Sequence, residues 1–243
     1  MPATIVSKNV TYKSAAKSIP TALFLPASGK SEKLVILAYG SDGLIDNENG
    51  KWKSMLEEFA RDLAQAGIAA AIPDYFASTG TRPGDLDPRQ FDSYALKIMQ
   101  GQASWVAALK AGVSQLAKPA LVPGIQPARV GLLGFSLGGY LSAQAAVGIP
   151  AMVLFYTPVF LGLNIPGPLT AKVELHYGTA DRLTTLARDG QGVQAELQKG
   201  GATVLNVHSY PSATHGFAGE DDSNKDAQKK SKERTLKFFA ANL

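Results

Sequence analysis

The chain has 243 residues, no cysteine and three histidines. Its 24 Lys+Arg against 20 Asp+Glu give a formal net charge of +4, with 45% hydrophobic and 18% charged residues. Disulfides, zinc fingers, iron–sulfur clusters and a thiol nucleophile are excluded, the few histidines leave little room for a His-rich metal site, and this charge is no nucleic-acid signature. A chain this long buries roughly 70–75% of its unfolded surface and needs no metal or disulfide staple. No apolar run reaches the ~18–20 residues that span a bilayer, and the opening MPATIVSKNV has no signal-peptide h-region. The expectation is a cytoplasmic location, with no nucleic-acid or membrane partner.

Short β-rich runs alternate with longer helical patterns, which argues for an α/β fold with a mostly parallel sheet. Thr4–Tyr12 and Ile19–Pro26 are strands too close together to hold a helix between them, so they pair antiparallel at one edge. Lys33–Tyr39 (KLVILAY) is a continuous apolar run, as expected of a strand covered on both faces. Trp52, Met55, Leu56, Phe59 and Leu63 recur at helical spacing and predict a helix over Trp52–Ala66. Ile68–Pro73 is the next strand, and Tyr75–Leu86 is a loop. Asp87-Pro88-Arg89-Gln90 predicts a helix start, with Asp87 as N-cap and Pro88 at the first helical position. That helix runs to about Leu116, weakened by Gly101 and Gly112. Pro119, Pro123 and Pro127 make Ala117–Pro127 a loop before the strand Arg129–Gly134.

Leu137–Val147 follows as a small-residue helix. Ala151–Tyr156 and Lys172–Tyr177 are strands, joined by a surface crossover over Thr157–Thr170. Ala187–Lys199 is a helix, Thr203–Tyr210 the last strand and Asp222–Asn242 a closing amphipathic helix. Lys225, Lys229, Lys230, Lys232 and Lys237, mixed with Glu220, Asp221, Asp222, Asp226 and Glu233, read as a solvated helix face. With no repeat or linker, residues 1–243 read as one domain with a sheet of about eight strands and helices on both faces.

Gly134-Phe135-Ser136-Leu137-Gly138 matches G-x-S-x-G, a pattern that is weak alone and informative between a strand and a helix. On such a turn the serine is strained, and the flanking glycines let strand and helix approach. A serine N-cap is the bland alternative. A serine nucleophile needs a base, and the base needs an orienting acid. In this topology the order is Ser, Asp/Glu, His, each on a loop after a strand. His176 and His208 fall inside strand patterns, whereas His215 lies just past the last strand. Asp181 follows the penultimate strand, and its rival Asp189 falls within or beside a helix.

At these residues the chain resembles the dienelactone hydrolase family of α/β-hydrolases. The stretches that carry the resemblance are KLVILAYGSDGL, IAAAIPDYFAST, RVGLLGFSLGGY, ELHYGTADRLTT and YPSATHGF, from about Lys33 to Phe217. The resemblance implies the α/β-hydrolase fold, Ser136 as nucleophile, Asp181 as acid and His215 as base. It also implies an oxyanion hole from the backbone N–H groups of Leu137 and Ser41. The chain departs from the family at several points. The typical family nucleophile is a cysteine, and Gly40 stands where the family has a glutamate. Ser78 and Gly219 stand where the family has substrate-binding arginines, and Arg82 is near enough to replace the first.

The expectation is a serine hydrolase acting on small carboxylic esters or lactones, with no metal or organic cofactor. Tyr39, Tyr75, Phe76, Phe135, Tyr156, Phe160 and Phe217 fall on or near strand ends where they could line an aromatic substrate site. Two other readings share the scaffold: a non-catalytic binding module, and acyl or peptidyl transfer by the same triad. The oligomeric state is not readable from sequence.

Overall fold

The structure is a computed structural model and describes residues 4–48, 50–159, 162–219 and 224–243. The expected start of the closing helix at Asp222, the acidic residues Glu220 and Asp221, and Phe160 lie outside the described residues. The strands are β1 (Val6–Ser14), β2 (Lys17–Leu25), β3 (Ser31–Ala38), β4 (Ala69–Pro73), β5 (Ile125–Phe135), β6 (Ala151–Phe155), β7 (Lys172–Gly178) and β8 (Thr203–Tyr210). The helices are α1 (Trp52–Gln65), α2 (Phe91–Leu116), α3 (Leu137–Gln144), α4 (Gln191–Lys199) and α5 (Lys225–Asn242).

One eight-stranded sheet runs in the order β1-β2-β4-β3-β5-β6-β7-β8. β1 pairs antiparallel with β2, and β2 with β4; every later pairing is parallel. This is the antiparallel edge on a parallel sheet that the sequence predicts. The central strands β4 and β6, and β3 from Leu34 onward, are apolar and buried because helices cover both faces. Within β5, Gly131 faces Phe239 of α5 and Gly134 faces Gly139 of α3. Residues three apart on a strand point to opposite faces, so α5 and α3 sandwich the sheet. α1 joins α5 on its face, where Lys232 reaches Glu58 and Asp62. α2 joins α3, where the Tyr140 hydroxyl donates to Gln102.

Three expectations are corrected. Asp87 does not cap α2; its carboxylate takes the Arg89 guanidinium, residues 87–90 form a turn, and the helix opens after Gln90. α2 runs unbroken through Gly101 and Gly112, which make room for the Trp105 ring and the Tyr12 hydroxyl that pack over them. β5 begins at Ile125 rather than Arg129, and a register shift against β3 between Ser31 and Lys33 accommodates its proline-containing start. The Thr157–Thr170 crossover is not confined to the surface: Thr157, Leu163 and Leu169 are buried. No helix of the described residues is long and apolar enough to cross a membrane.

Candidate active site

Ser136 sits between β5 and α3 with φ 51° and ψ −118°. For a residue with a side chain such backbone strain costs about 1–3 kcal/mol, and packing must enforce it. The enforcement comes from small residues on both sides. A Cβ on Gly134 would lie 2.6 Å from the Gly139 Cα, and one on Gly138 would lie 2.1 Å from the Ala38 carbonyl oxygen. One on Gly139 would meet the Thr157 hydroxyl at 2.1 Å. The helix therefore starts in direct contact with β3 and β5. Ser136 stays in register because its N–H donates to the Phe155 carbonyl at 3.0 Å.

Ser136 Oγ lies 3.0 Å from His215 Nε2. His215 Nδ1 lies 2.9 Å from Asp181 Oδ2. The three residues follow β5, β7 and β8 and meet at the carboxyl edge of the sheet, where ligands bind in open α/β folds. Asp181 is held by its own loop: the N–H groups of Leu183 and Thr184 both donate to Oδ1 at 2.8 Å. The Thr184 hydroxyl donates to Oδ2 and lies 3.2 Å from His215 Nδ1. Burial pushes the Asp181 carboxyl up, but His215 and Thr184 outweigh it and hold it below the ordinary carboxylate range.

The loops after β7 and β8 are bonded to one another. The Ala180 N–H donates to the Ala213 carbonyl at 2.9 Å, and the Ser212 N–H donates to the Thr179 hydroxyl at 2.9 Å. A Cβ on Gly178 would clash with the Ala213 carbonyl at 2.1 Å, so glycine permits this approach. Asn224 pins the far side of the His215 loop by bonding the Thr214 backbone and hydroxyl.

The other polar candidates serve elsewhere. Asp189 is fully buried and accepts from the N–H groups of Val159 and Thr185 and from Arg188, which braces two loops. His176 is also buried, between Tyr210 and Glu174, and stacks on Phe155. His208 approaches the other Glu174 oxygen at 3.2 Å.

A cavity of about 1000 Å3 opens over Ser136. Tyr39, Phe135 and Tyr156 line it as expected, and Ser41 lies on its wall. Leu137 opens α3, and the first N–H groups of a helix have no intrahelical acceptor. Tyr75, Phe76 and Phe217 do not line the cavity. Tyr75 is buried behind Tyr39, bonded to its carbonyl, and Phe76 packs edge-on against both rings. Phe217 supports Tyr156 from below, against Phe155 and Tyr210. Arg82 does not line it either; it is exposed on a turn closed through Asp85. Ser78 bonds back to the Tyr75 carbonyl, and Gly219 packs against the Trp52 ring. Trp52, Met55, Phe91 and Tyr94 supply wall residues that strand-end reasoning missed, because they come from α1 and α2. Their helical spacing was visible, but it looks the same for core and cleft.

A parallel sheet with a strained serine elbow at its carboxyl edge defines an α/β-hydrolase. The model of the dienelactone hydrolase family matches residues 44–243. The chain belongs to that family. Among curated proteins none matches. The dienelactone hydrolase of Anabaena variabilis superposes with a TM-score of 0.70 at 18% identity, covering 98% of this chain and 99% of that one. A dienelactone hydrolase-like promiscuous phosphotriesterase from metagenomic libraries gives 0.71 at 18% identity, covering 98% of each chain. A cold-adapted esterase from an Arctic intertidal metagenomic library gives 0.67 at 17% identity, covering 98% and 94%. At these identities the likeness is one of fold.

Proposed function

We propose that this protein is a serine hydrolase of small carboxylic esters or lactones, working through an acyl-enzyme on Ser136. The observation that carries the reading is the continuous hydrogen-bond chain Ser136 Oγ–His215 Nε2 and His215 Nδ1–Asp181 Oδ2, at 3.0 and 2.9 Å. An ionised Asp181 keeps the proton on Nδ1, which leaves Nε2 to accept from the serine hydroxyl. His215 takes that proton as Oγ attacks the ester carbonyl. The imidazolium is stabilised by Asp181, whose charge four donors hold in place.

The N–H groups of Leu137 and Ser41 are the oxyanion donors in this reading, each worth ~3 kcal/mol in the barrier. A Cβ on Gly40 would lie only 3.5 Å from the Ser136 Cβ, so the Gly40-Ser41 backbone is close to the reacting centre. His215 then protonates the leaving alcohol. Water attacks the acyl-enzyme with the same groups in reversed roles. The expected partner is thus a small-molecule ester or lactone, seated against Tyr39, Phe135 and Tyr156.

A fluorophosphonate probe followed by peptide mapping tests the nucleophile. The label is expected on Ser136, and a label elsewhere or none contradicts the reading.

A further inference from the structure

The cavity carries its charge unevenly. Its ionisable lining is Asp42, Asp181, Arg182, Arg188 and His215. Asp181 is fully occupied by its four donors. The Arg188 guanidinium is held by Asp189 and by the Leu183 carbonyl. His215 is engaged by Asp181 and Ser136, so Asp42 and Arg182 remain. Asp42 is half-buried in the Gly40–Gly43 turn, and among the described residues no Lys or Arg forms an ion pair with it. Arg182 is exposed at the rim.

Sheet order separates the two charges. Asp42 follows β3, Ser136 follows its neighbour β5, and Arg182 follows β7, two strands beyond β5. At ~4.8 Å per strand, the two loops start roughly 14 Å apart on opposite sides of the serine. The β3 side therefore carries a carboxylate that, among the described residues, no Lys or Arg pairs, with Asp87 close enough to act on it and itself paired to Arg89. Aromatic residues share the cavity lining with it: Tyr39, Trp52, Phe91 and Tyr94. The Tyr94 hydroxyl is near enough to Asp42 for the carboxylate to help push its pKa up, chiefly with burial, to about 12. Burial likewise pushes the Asp42 carboxyl up, against the opposing pull of its own backbone N–H and of His215. A carboxylate and aromatic side chains lining one cleft are the chemistry that recognises an ammonium group.

We propose that Asp42 makes this cleft select esters that carry an ammonium group on the β3 side of the scissile bond, and reject esters with a carboxylate there. The inference rests on the reading of Ser136 as nucleophile, and it concerns which substrate that nucleophile meets. Ser78, Gly219 and the outlying Arg82 provide no cation in the cleft to favour an anionic ester instead.

The test compares kcat/KM within matched pairs. Choline butyrate is set against its neutral isostere 3,3-dimethylbutyl butyrate. The 4-nitrophenyl ester of 4-(trimethylammonio)butanoate is set against those of 5,5-dimethylhexanoate and glutarate. The cationic member of at least one pair is expected to lead by about fivefold, as for a partly exposed ion pair, and the lead shrinks with added salt. In Asp42→Asn the ratio falls to about one; losses common to both esters cancel in it. Equal or reversed ratios in both pairs, or a ratio unmoved by Asp42→Asn, overturn the proposal. Kd values for the choline and dimethylbutyl butyrates on the Ser136→Ala protein separate the two readings. If no ester is cleaved, the nucleophile reading fails, while tighter binding of the choline ester still supports the charge preference and equal Kd values overturn it.

Discussion

The Thr184 hydroxyl donates to Asp181 Oδ2, the same oxygen that His215 Nδ1 reaches at 2.9 Å. Thr184 thus touches both members of the acid–base pair, as a positioning residue would. Thr184→Val removes one bond from a buried carboxylate, a loss of about 1.5–3 kcal/mol for a charged group. We expect kcat/KM to fall about tenfold or more. Since Thr184 helps hold the Asp181 carboxyl low, the acid limb of the pH–rate profile should also move to higher pH. Thr184→Ser should restore both. A profile unchanged in Thr184→Val would show that the hydroxyl positions nothing.

Gly138 admits no side chain, because a Cβ there would lie 2.1 Å from the Ala38 carbonyl oxygen. Gly138→Ala must push α3 away from β3, an overpacking cost of roughly 3 kcal/mol or more. Thermal unfolding should show a Tm lowered by roughly 6 °C or more. An unchanged Tm would mean that the elbow is looser than its contacts imply.

Acid should destabilise the fold before most carboxylates titrate. Burial pushes His176 down from 6.5 to about 4, against the opposing pull of Glu174. The unfolded chain therefore binds a proton that the folded chain refuses between those values, and stability falls as pH drops through that window. Glu174 adds a second loss lower down. Burial raises its carboxyl, but His176 and His208 outweigh this and take it from 4.5 to about 2. Each group contributes a slope of at most about 1.4 kcal/mol per pH unit. Urea midpoints should decline between pH 7 and pH 5, a range that lies above the Glu174 loss. A flat midpoint there would contradict the burial of a neutral His176.

Much of this was legible in the sequence because long apolar runs and helical spacing are strong signals. KLVILAY, IAAAIP and AMVLF are buried strands, and GFSLG falls on the elbow between β5 and α3. The misses have local causes. Asp87 looked like a cap, but Arg89 two residues on captures its carboxylate. Pro127 looked like a loop residue, but β5 pairs only with β3 at its start, where an irregular register tolerates it. Phe135 and Phe217 carry the same residue type near strand ends, yet one faces the cavity and the other the core beneath Tyr156. Only the three-dimensional turn distinguishes them. Thr184 had no signal at all, since a hydroxyl three residues past an aspartate is common.

The most direct measurement compares the wild-type chain with Ser136→Ala across a panel of short-chain esters and lactones. Removing the hydroxyl removes the only atom positioned to attack in the proposed mechanism. Hydrolysis should fall by three orders of magnitude or more on the general experience of such triads, with the fold and its Tm retained. Ester hydrolysis that persists in Ser136→Ala at the wild-type rate would contradict the account.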